Sequence, residues 1–326
     1  MAFDRIAVLG LGKVGKLAAE LLQDAGFEVV GFDNREHLTP PPLPVERQDV
    51  ASPETLGEIL KPFDGVLSCL PYHLNLSVAS TAHHLGLHYF DLTEDVPTTQ
   101  AIREMSESAK AVMAPQCGLA PGFIGIVGAH LAEQFERVRS IKLRVGALPQ
   151  HPSGLLGYAF NWSPEGVVNE YLNDCEVIEE GQHKWISPME WVETVYVGGV
   201  KLEAFSTSGG LGTMCETYLG RVENLDYKTM RYPGHVQLMN FFFHELLMRE
   251  RREDAGQILT HAKPPVDDVV VFLHASAEGE ADDRLMRREF VRAGALPEKG
   301  FLKQEEIPLA PFLETRNGAL YGAVKG

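Results

Sequence analysis

A chain of 326 residues exceeds most single hydrophobic cores, so two domains are expected, and its 44% hydrophobic share is ordinary for a globular enzyme. Its 29 basic and 45 acidic residues leave a net charge of −16 with no lysine-arginine run, which argues against nucleic acid as a partner. The longest apolar segment of note, Met239 to Phe243, falls far short of the roughly twenty residues that cross a bilayer, so no membrane association is expected.

The first fifteen residues run from an apolar stretch, Arg5 to Gly10, into Gly10-Leu-Gly12-Lys-Val-Gly15, with Leu17 to Leu22 following at helical spacing. Strand, glycine turn and helix in that order predict a dinucleotide cradle: Gly10 for the tight turn, Gly12 for close approach of a pyrophosphate, and Gly15 for helix–strand packing. Lys13 and Val14 lie between them as cofactor neighbours, and the helix start offers free N–H groups to phosphate. A second strand, Phe27 to Asp33, ends in a carboxylate eighteen positions after Gly15, where a ribose-binding acid belongs. Asp33 would accept from ribose hydroxyls and repel a 2′-phosphate, favouring NAD over NADP, while Arg35 two positions on softens that repulsion and leaves NADP open.

A proline-rich turn, Thr39 to Pro44, leads to Val45–Val50 and a capped helix start at Ser52-Pro53. A strand at Asp64–Leu70, a helix at Leu74–Leu85, a strand at His88–Asp91, a helix at Thr98–Lys110 and a strand at Ala111–Ala114 continue the alternation. That rhythm predicts a Rossmann-type, doubly wound parallel sheet over residues 1–120, with Leu70-Pro71-Tyr72, Asp91-Leu92-Thr93 and Gln116-Cys117-Gly118 at the ligand-facing ends of its strands. From Pro115 to Gly122 the chain leaves this domain, and a helix is expected over Phe123–Phe135. Beyond it, alternating segments at Ile141–Val145, Val177–Ile186, Val195–Glu203 and Asp268–His274, two of them with glycine at hairpin positions, predict an α+β domain with a mixed or antiparallel sheet over residues 121–290. Residues 291–326 form a C-terminal segment expected to return to the first domain. Cys69, Cys117, Cys175 and Cys215 stand far apart without a zinc-like spacing, and the chain opens on a core strand, so free thiols in a reducing cytoplasm are expected. His83 and His84 point to different faces of one helix and cannot chelate a single ion, so no metal is expected.

Five stretches, Gly10–Gly15, Leu70-Pro-Tyr72, Cys117-Gly-Leu-Ala-Pro-Gly122, Asn161-Trp-Ser-Pro-Glu-Gly166 and Thr229-Met-Arg-Tyr-Pro-Gly-His235, together resemble the saccharopine dehydrogenase-like family, and within it the L-lysine 6-dehydrogenases. The resemblance implies NAD-dependent oxidation of the lysine side-chain amine by a cytoplasmic homodimer whose second domain pairs subunits. Two departures stand out. Ala120 replaces an acid that many relatives carry, and a stretch between Phe290 and Gly294, ahead of Leu296–Phe301, is shortened. The resemblance leaves two alternatives: reductive condensation of the saccharopine or carboxynorspermidine type, which needs more cationic anchors, and a nucleotide-binding relative without turnover.

Such chemistry needs a neutral amine, a water placed against the imine, and groups for the α-carboxylate and α-ammonium. Arg231 either anchors the carboxylate from a loop or ties that loop to an acid. His235 either acts as base or begins a helix facing solvent. Glu165 either contacts substrate or belongs to a helix start with Ser163 as cap, and Trp162 is a pocket wall or core residue. Asp91, the second catalytic candidate, either reaches substrate or caps Thr93-Glu94; Tyr72 lines the nicotinamide pocket or packs. Cys117 has no adjoining basic residue and is read as packing beside the nicotinamide rather than as a nucleophile.

Overall fold

The computed structural model describes residues 3–36, 41–281, 284–288, 300–301, 303–307, 309–314 and 318–320. Thr39-Pro40 of the proline-rich turn, the shortened stretch at Phe290–Gly294 and the start of the Leu296–Phe301 segment lie outside them. Two compact units divide the chain, Met1–Ile126 with Val291–Gly326 as one and Val127–Phe290 as the other.

In the first unit the chain runs β1 (Arg5–Leu9), α1 (Lys13–Asp24), β2 (Glu28–Asp33), β3 (Val45–Arg47), α2 (Pro53–Leu60), β4 (Gly65–Ser68), α3 (Tyr72–Leu85), β5 (His88–Asp91), α4 (Val96–Ser106) and β6 (Val112–Ala114), before α5 (Phe123–Ala132). The strand alternation fixes two cores on the two faces of one sheet. Ala7 and Leu9 pack with Leu56, Val78, Ala82 and Ile102 of α2, α3 and α4, whereas Ile6 and Val8 pack with Ala19 of α1. Helix starts follow local chemistry. Ser52 accepts from Thr55 N–H to open α2, and Asp95 accepts from Thr98 N–H at 2.9 Å to open α4, two residues earlier than the apolar spacing suggested.

The second unit contains β7 (Arg137–Pro149), α6 (Pro164–Leu172), β8 (Cys175–Glu179), β9 (Gln182–Ile186), β10 (Glu193–Val197), β11 (Val200–Ser206), α7 (Met214–Tyr218), β12 (Asn224–Arg231), α8 (His235–Asn240), α9 (Arg252–Ala262), β13 (Val269–Ala281) and β14 (Arg284–Arg288). Its sheet is mixed, in the order β10-β11-β12-β7-β13-β14, with β12 parallel to β7 and the β8–β9 hairpin attached to β12. β7 and β13 are each thirteen residues long, far beyond the five- and seven-residue segments the sequence displayed. Thr229-Met-Arg231 closes strand β12; the expected loop begins only at Tyr232.

The chain then supplies β15 (Gly300–Phe301), which pairs parallel with β6, and α10 (Leu309–Glu314). The first unit's sheet is thereby seven-stranded and wholly parallel, in the order β15-β6-β5-β4-β1-β2-β3. The C-terminal segment is also fastened by Gln304, whose side-chain oxygen accepts from Gly122 N–H. A Rossmann-type parallel sheet plus a second α+β domain is the fold class expected from the sequence.

Candidate functional site

Because every strand of the first sheet runs the same way, the segments after β1, β2, β4, β5 and β6 share one edge. At the β1–α1 turn Gly10 sits at φ +85°, and a Cβ there would lie 2.9 Å from the Cys69 carbonyl oxygen. A Cβ on Gly15 would collide with the Gly10 carbonyl, while one on Gly12 would meet nothing within 4 Å. The turn is thus closed from below by Gly10 and Gly15 and open at Gly12. No side chain caps α1 and its first turn carries no acid, so its N–H groups point outward, flanked by exposed Lys13 and Val14.

Asp33 ends β2 almost fully buried. One carboxylate oxygen accepts from Leu11 N–H at 2.8 Å and from Arg35 Nη2 at 3.2 Å; the other accepts from Arg35 N–H at 2.9 Å and Nε at 3.1 Å. Burial works against the charge, but the Arg35 bonds and the Leu11 N–H outweigh it and hold the pKa at about 2. Asp33 and Arg35 together form a neutralised pair whose guanidinium is largely exposed.

Asp91 is fully buried. It accepts from Tyr89 Oη at 2.6 Å, Thr93 N–H at 2.9 Å and Gln116 N–H at 3.0 Å. Burial raises its pKa against the pull of those three bonds. Of its two expected roles the structure displays the structural one: Asp91 fastens the segments after β5 and β6, holding Gln116 at φ +65°. Cys117 donates to Ala114 O, and burial pushes its thiol up to about 12, as it does for Cys69, so neither is a thiolate. Leu70 and Tyr72 are half-buried on either side of exposed Pro71 at the start of α3.

The second unit gathers a different cluster. Arg231, buried at the end of β12, donates from Nε to Tyr171 Oη at 2.8 Å and from Nη1 to Met230 O at 2.9 Å, and its guanidinium lies 4.5 Å from the Tyr158 ring centre. His235 is fully buried at the start of α8, with Nδ1 3.0 Å from Leu156 O and Nε2 2.9 Å from Tyr171 Oη. A carbonyl only accepts, so Nδ1 carries the proton and Nε2 accepts from the phenol. Burial, and then the Arg231 charge, lower the His235 pKa to about 3 despite the Leu156 bond. The solvent-facing expectation for this histidine is corrected: the ring is fully buried, and both of its nitrogens have partners within the protein.

Glu165 is exposed and takes a bond from Ser163 Oγ, which itself caps α6 through Gly166 N–H at 3.1 Å. The helix-start reading is the one seen. The acid that sequence reasoning missed is Glu170, buried on the same helix beside Tyr171, whose negative charge acts on Tyr158, Tyr171, Tyr227 and Arg231. Its signal was available, since it lies three and four residues from Val167 and Gly166 on the inward face of α6. Tyr72, Asp91 and Cys117 thus belong to the first unit, and Glu165, Arg231 and His235 to the second.

All four cysteines are free thiols. Among the described residues no group of three or more His, Cys, Asp or Glu side chains could hold a metal ion, and no helix is long and apolar enough to cross a membrane.

Residues 6–115 match the saccharopine dehydrogenase NADP binding domain and residues 118–312 the saccharopine dehydrogenase C-terminal domain. Among curated proteins the chain is similar to the mitochondrial alpha-aminoadipic semialdehyde synthase of Mus musculus, at 23% identity over 73% of this chain and 28% of that protein. It is also similar to saccharopine dehydrogenase (NADP+, L-glutamate-forming) of Pyricularia oryzae, at 22% identity over 73% and 57% respectively. The apo saccharopine dehydrogenase (L-Glu forming) structure from Saccharomyces cerevisiae shares the fold at a TM-score of 0.62 and 19% identity, covering 76% of this chain and 59% of that one. The chain therefore spans little more than half, or less, of the length of these relatives.

Proposed function

Since the chain belongs to the saccharopine dehydrogenase family, we propose that it is an NAD(P)-dependent oxidoreductase acting on the CH–NH2 group of an amino acid, and that its reaction is oxidative deamination of the lysine side-chain amine. The observation that carries this is the glycine turn closed at Gly10 and Gly15, open at Gly12, and followed by the Asp33–Arg35 pair. A nicotinamide dinucleotide held there supplies the hydride acceptor. Backbone at Gly12 and the start of α1 take the diphosphate, and Leu70, Pro71, Tyr72 and Cys117 wall the nicotinamide. With Asp33 already neutralised by Arg35, a 2′-phosphate meets a guanidinium rather than a bare carboxylate, which supports use of NADP alongside NAD.

In the second unit, Arg231 takes the substrate carboxylate, Tyr171 and His235 hold the guanidinium in place, and Glu170 supplies the negative charge that suits an α-ammonium. The amine must be neutral to lose hydride. Its ordinary pKa is about 10.4, so activity rises towards alkaline pH. Two copies of the chain act together as a cytoplasmic homodimer in this proposal.

A saccharopine-type reaction is the second reading, favoured by the names of the relatives. It needs anchors for additional carboxylates. The other buried cations of the second unit, Arg144 and Lys228, are engaged with Glu193 and Asp226, which supports a substrate with one carboxylate. Following absorbance of the reduced coenzyme at alkaline pH separates the readings. Lysine-dependent reduction of NAD or NADP supports the first; reduction with saccharopine alone moves the assignment to the second; coenzyme binding without turnover of either removes both.

A further inference from the structure

β3 is an edge strand of the nucleotide sheet, and its register with β2 sets Arg47 directly opposite Asp33. Side chains alternate between the two faces of a strand, so Arg47 stands on the face of Asp33 while its neighbour Glu46 points to the other. That face is the one the glycine turn occupies. Leu11 of the turn donates its N–H to Asp33 at 2.8 Å, and its side chain covers Gly31, two residues before Asp33, where an added Cβ would lie 2.7 Å from it.

Two guanidiniums meet at this corner, each held through its Nε. Arg35 is forked onto the Asp33 carboxylate, by Nε at 3.1 Å and Nη2 at 3.2 Å. Arg47 donates from Nε to the carbonyl of Asn34, the residue between Asp33 and Arg35, at 3.2 Å. The two cations differ in what balances them. Asp33 matches Arg35, and with the N–H groups of Leu11 and Arg35 added its oxygens accept four bonds, about as many as a carboxylate can take. That pair is neutral and satisfied within the protein. Among the described residues no carboxylate pairs with Arg47, and neither of its Nη atoms has a partner. The corner is left with one unmatched positive charge, on a side chain whose direction the Asn34 carbonyl fixes.

We propose that Arg47 completes a 2′-phosphate site with Arg35, so that this corner selects adenosine phosphorylated at the 2′ position. The inference rests on the coenzyme reading of the glycine turn and adds to it a residue that recognises one coenzyme over the other. Arg47 supplies the attraction that the neutral Asp33–Arg35 pair lacks, and its Nη groups offer phosphate oxygens the planar fork that a guanidinium provides. Arg35, bound to Asp33 by Nε and Nη2, keeps Nη1 for the same oxygens. The sequence hides this arrangement, because Arg47 lies fourteen positions beyond Asp33 and reaches it only through the pairing of β2 with β3.

Isothermal titration of the full chain with adenosine 2′,5′-bisphosphate, adenosine 3′,5′-bisphosphate and adenosine 5′-monophosphate tests this without turnover. The 2′,5′ isomer should bind about tenfold or more tightly than either of the others, the equivalent of one charge-assisted contact. Arg47→Gln should remove most of that margin and leave the affinity for the 5′-monophosphate unchanged. Arg47 is exposed, so the variant should retain the parent melting temperature and keep the comparison valid. The proposal is overturned if the two isomers bind alike, which would make the corner a general anion site, or if Arg47→Gln keeps the margin. In both cases binding of the 5′-monophosphate leaves the coenzyme reading standing. Absence of saturable heat with the 2′,5′ isomer overturns the proposal as well, and fluorescence titration with reduced NAD then decides whether the coenzyme reading falls with it.

Discussion

The phenol of Tyr171 donates to Nε2 of His235 across 2.9 Å while accepting from Nε of Arg231 at 2.8 Å, so a single hydroxyl joins a neutral ring to a buried cation. The chain of bonds has one direction: guanidinium to phenol, phenol to imidazole, imidazole Nδ1–H to Leu156 O. Tyr171→Phe removes the middle link and leaves both neighbours with an unmet bond. It should destabilise the protein by about 1–3 kcal/mol and, if Arg231 anchors the carboxylate, raise KM for the amino acid more than it lowers kcat. Urea unfolding and steady-state kinetics on the same variant check the two parts. An unaltered KM would detach Tyr171 from substrate binding.

His235 also gives the fold an acid limit. Its pKa is near 3 in the folded chain and 6.5 as the ordinary value, so between these pH values the unfolded state binds the extra proton. The contribution is complete above about 6.5 and is lost as pH falls towards 3, with a slope of up to about 1.4 kcal/mol per pH unit. Asp33, lowered to about 2 from 3.8, adds a loss of the same sign at still lower pH. Unfolding midpoints between pH 7 and 4.5 should decline less steeply in His235→Gln than in the parent. Parallel slopes would place the proton uptake elsewhere.

The nucleotide domain was legible because its information is local. Gly10, Gly12 and Gly15 each act within one turn, and the period of apolar residues marks each strand and helix. Asp33 and Arg35, two residues apart, could be paired on paper. The second unit was harder to read, because its long strand β7 alternates charged and apolar residues whereas β13 opens on five apolar ones, and its polar face carries Arg144 and Lys228 where a core would be expected. Arg231 and His235 were singled out, but their burial depends on Tyr171 and Tyr158, which lie 60 or more residues away in sequence. Glu165 drew attention through a motif whose serine and proline describe a helix start; the buried acid five residues on had no motif.

On the proposed function, the Asp33–Arg35 pair is where the two coenzymes would be told apart. Arg35→Ala bares the carboxylate and removes the cation, so NADP affinity should fall by about tenfold or more, the equivalent of one charge-assisted contact, while NAD affinity changes little. Asp33→Ala should weaken NAD and relax discrimination against NADP. Fluorescence titration with each reduced coenzyme measures both. A common drop in the two affinities for Arg35→Ala would show that the arginine merely holds the turn.

Gly15→Ala tests the cradle itself. The new methyl would collide with the Gly10 carbonyl, which packs against α1, and neither backbone segment can yield without reopening the turn. Overpacking of this kind costs about 1–3 kcal/mol, and coenzyme affinity should fall with it. Gly12→Ala meets no atom within 4 Å of its new Cβ and should leave stability nearly unchanged, yet it should weaken coenzyme binding by crowding the diphosphate.

Glu165 and Glu170 distinguish the two acids of α6. Glu165→Gln alters an exposed side chain in the first turn and should shift stability by no more than about 0.5 kcal/mol, with KM unchanged. Glu170→Gln removes a buried negative charge that Arg231 feels. Because glutamine keeps the shape, the fold should survive while KM for the amino acid rises and the pH profile of kcat/KM is displaced. Kinetics of both variants at several pH values decide the matter: a larger effect at Glu165 than at Glu170 would return substrate recognition to the helix start and remove the buried acid from it.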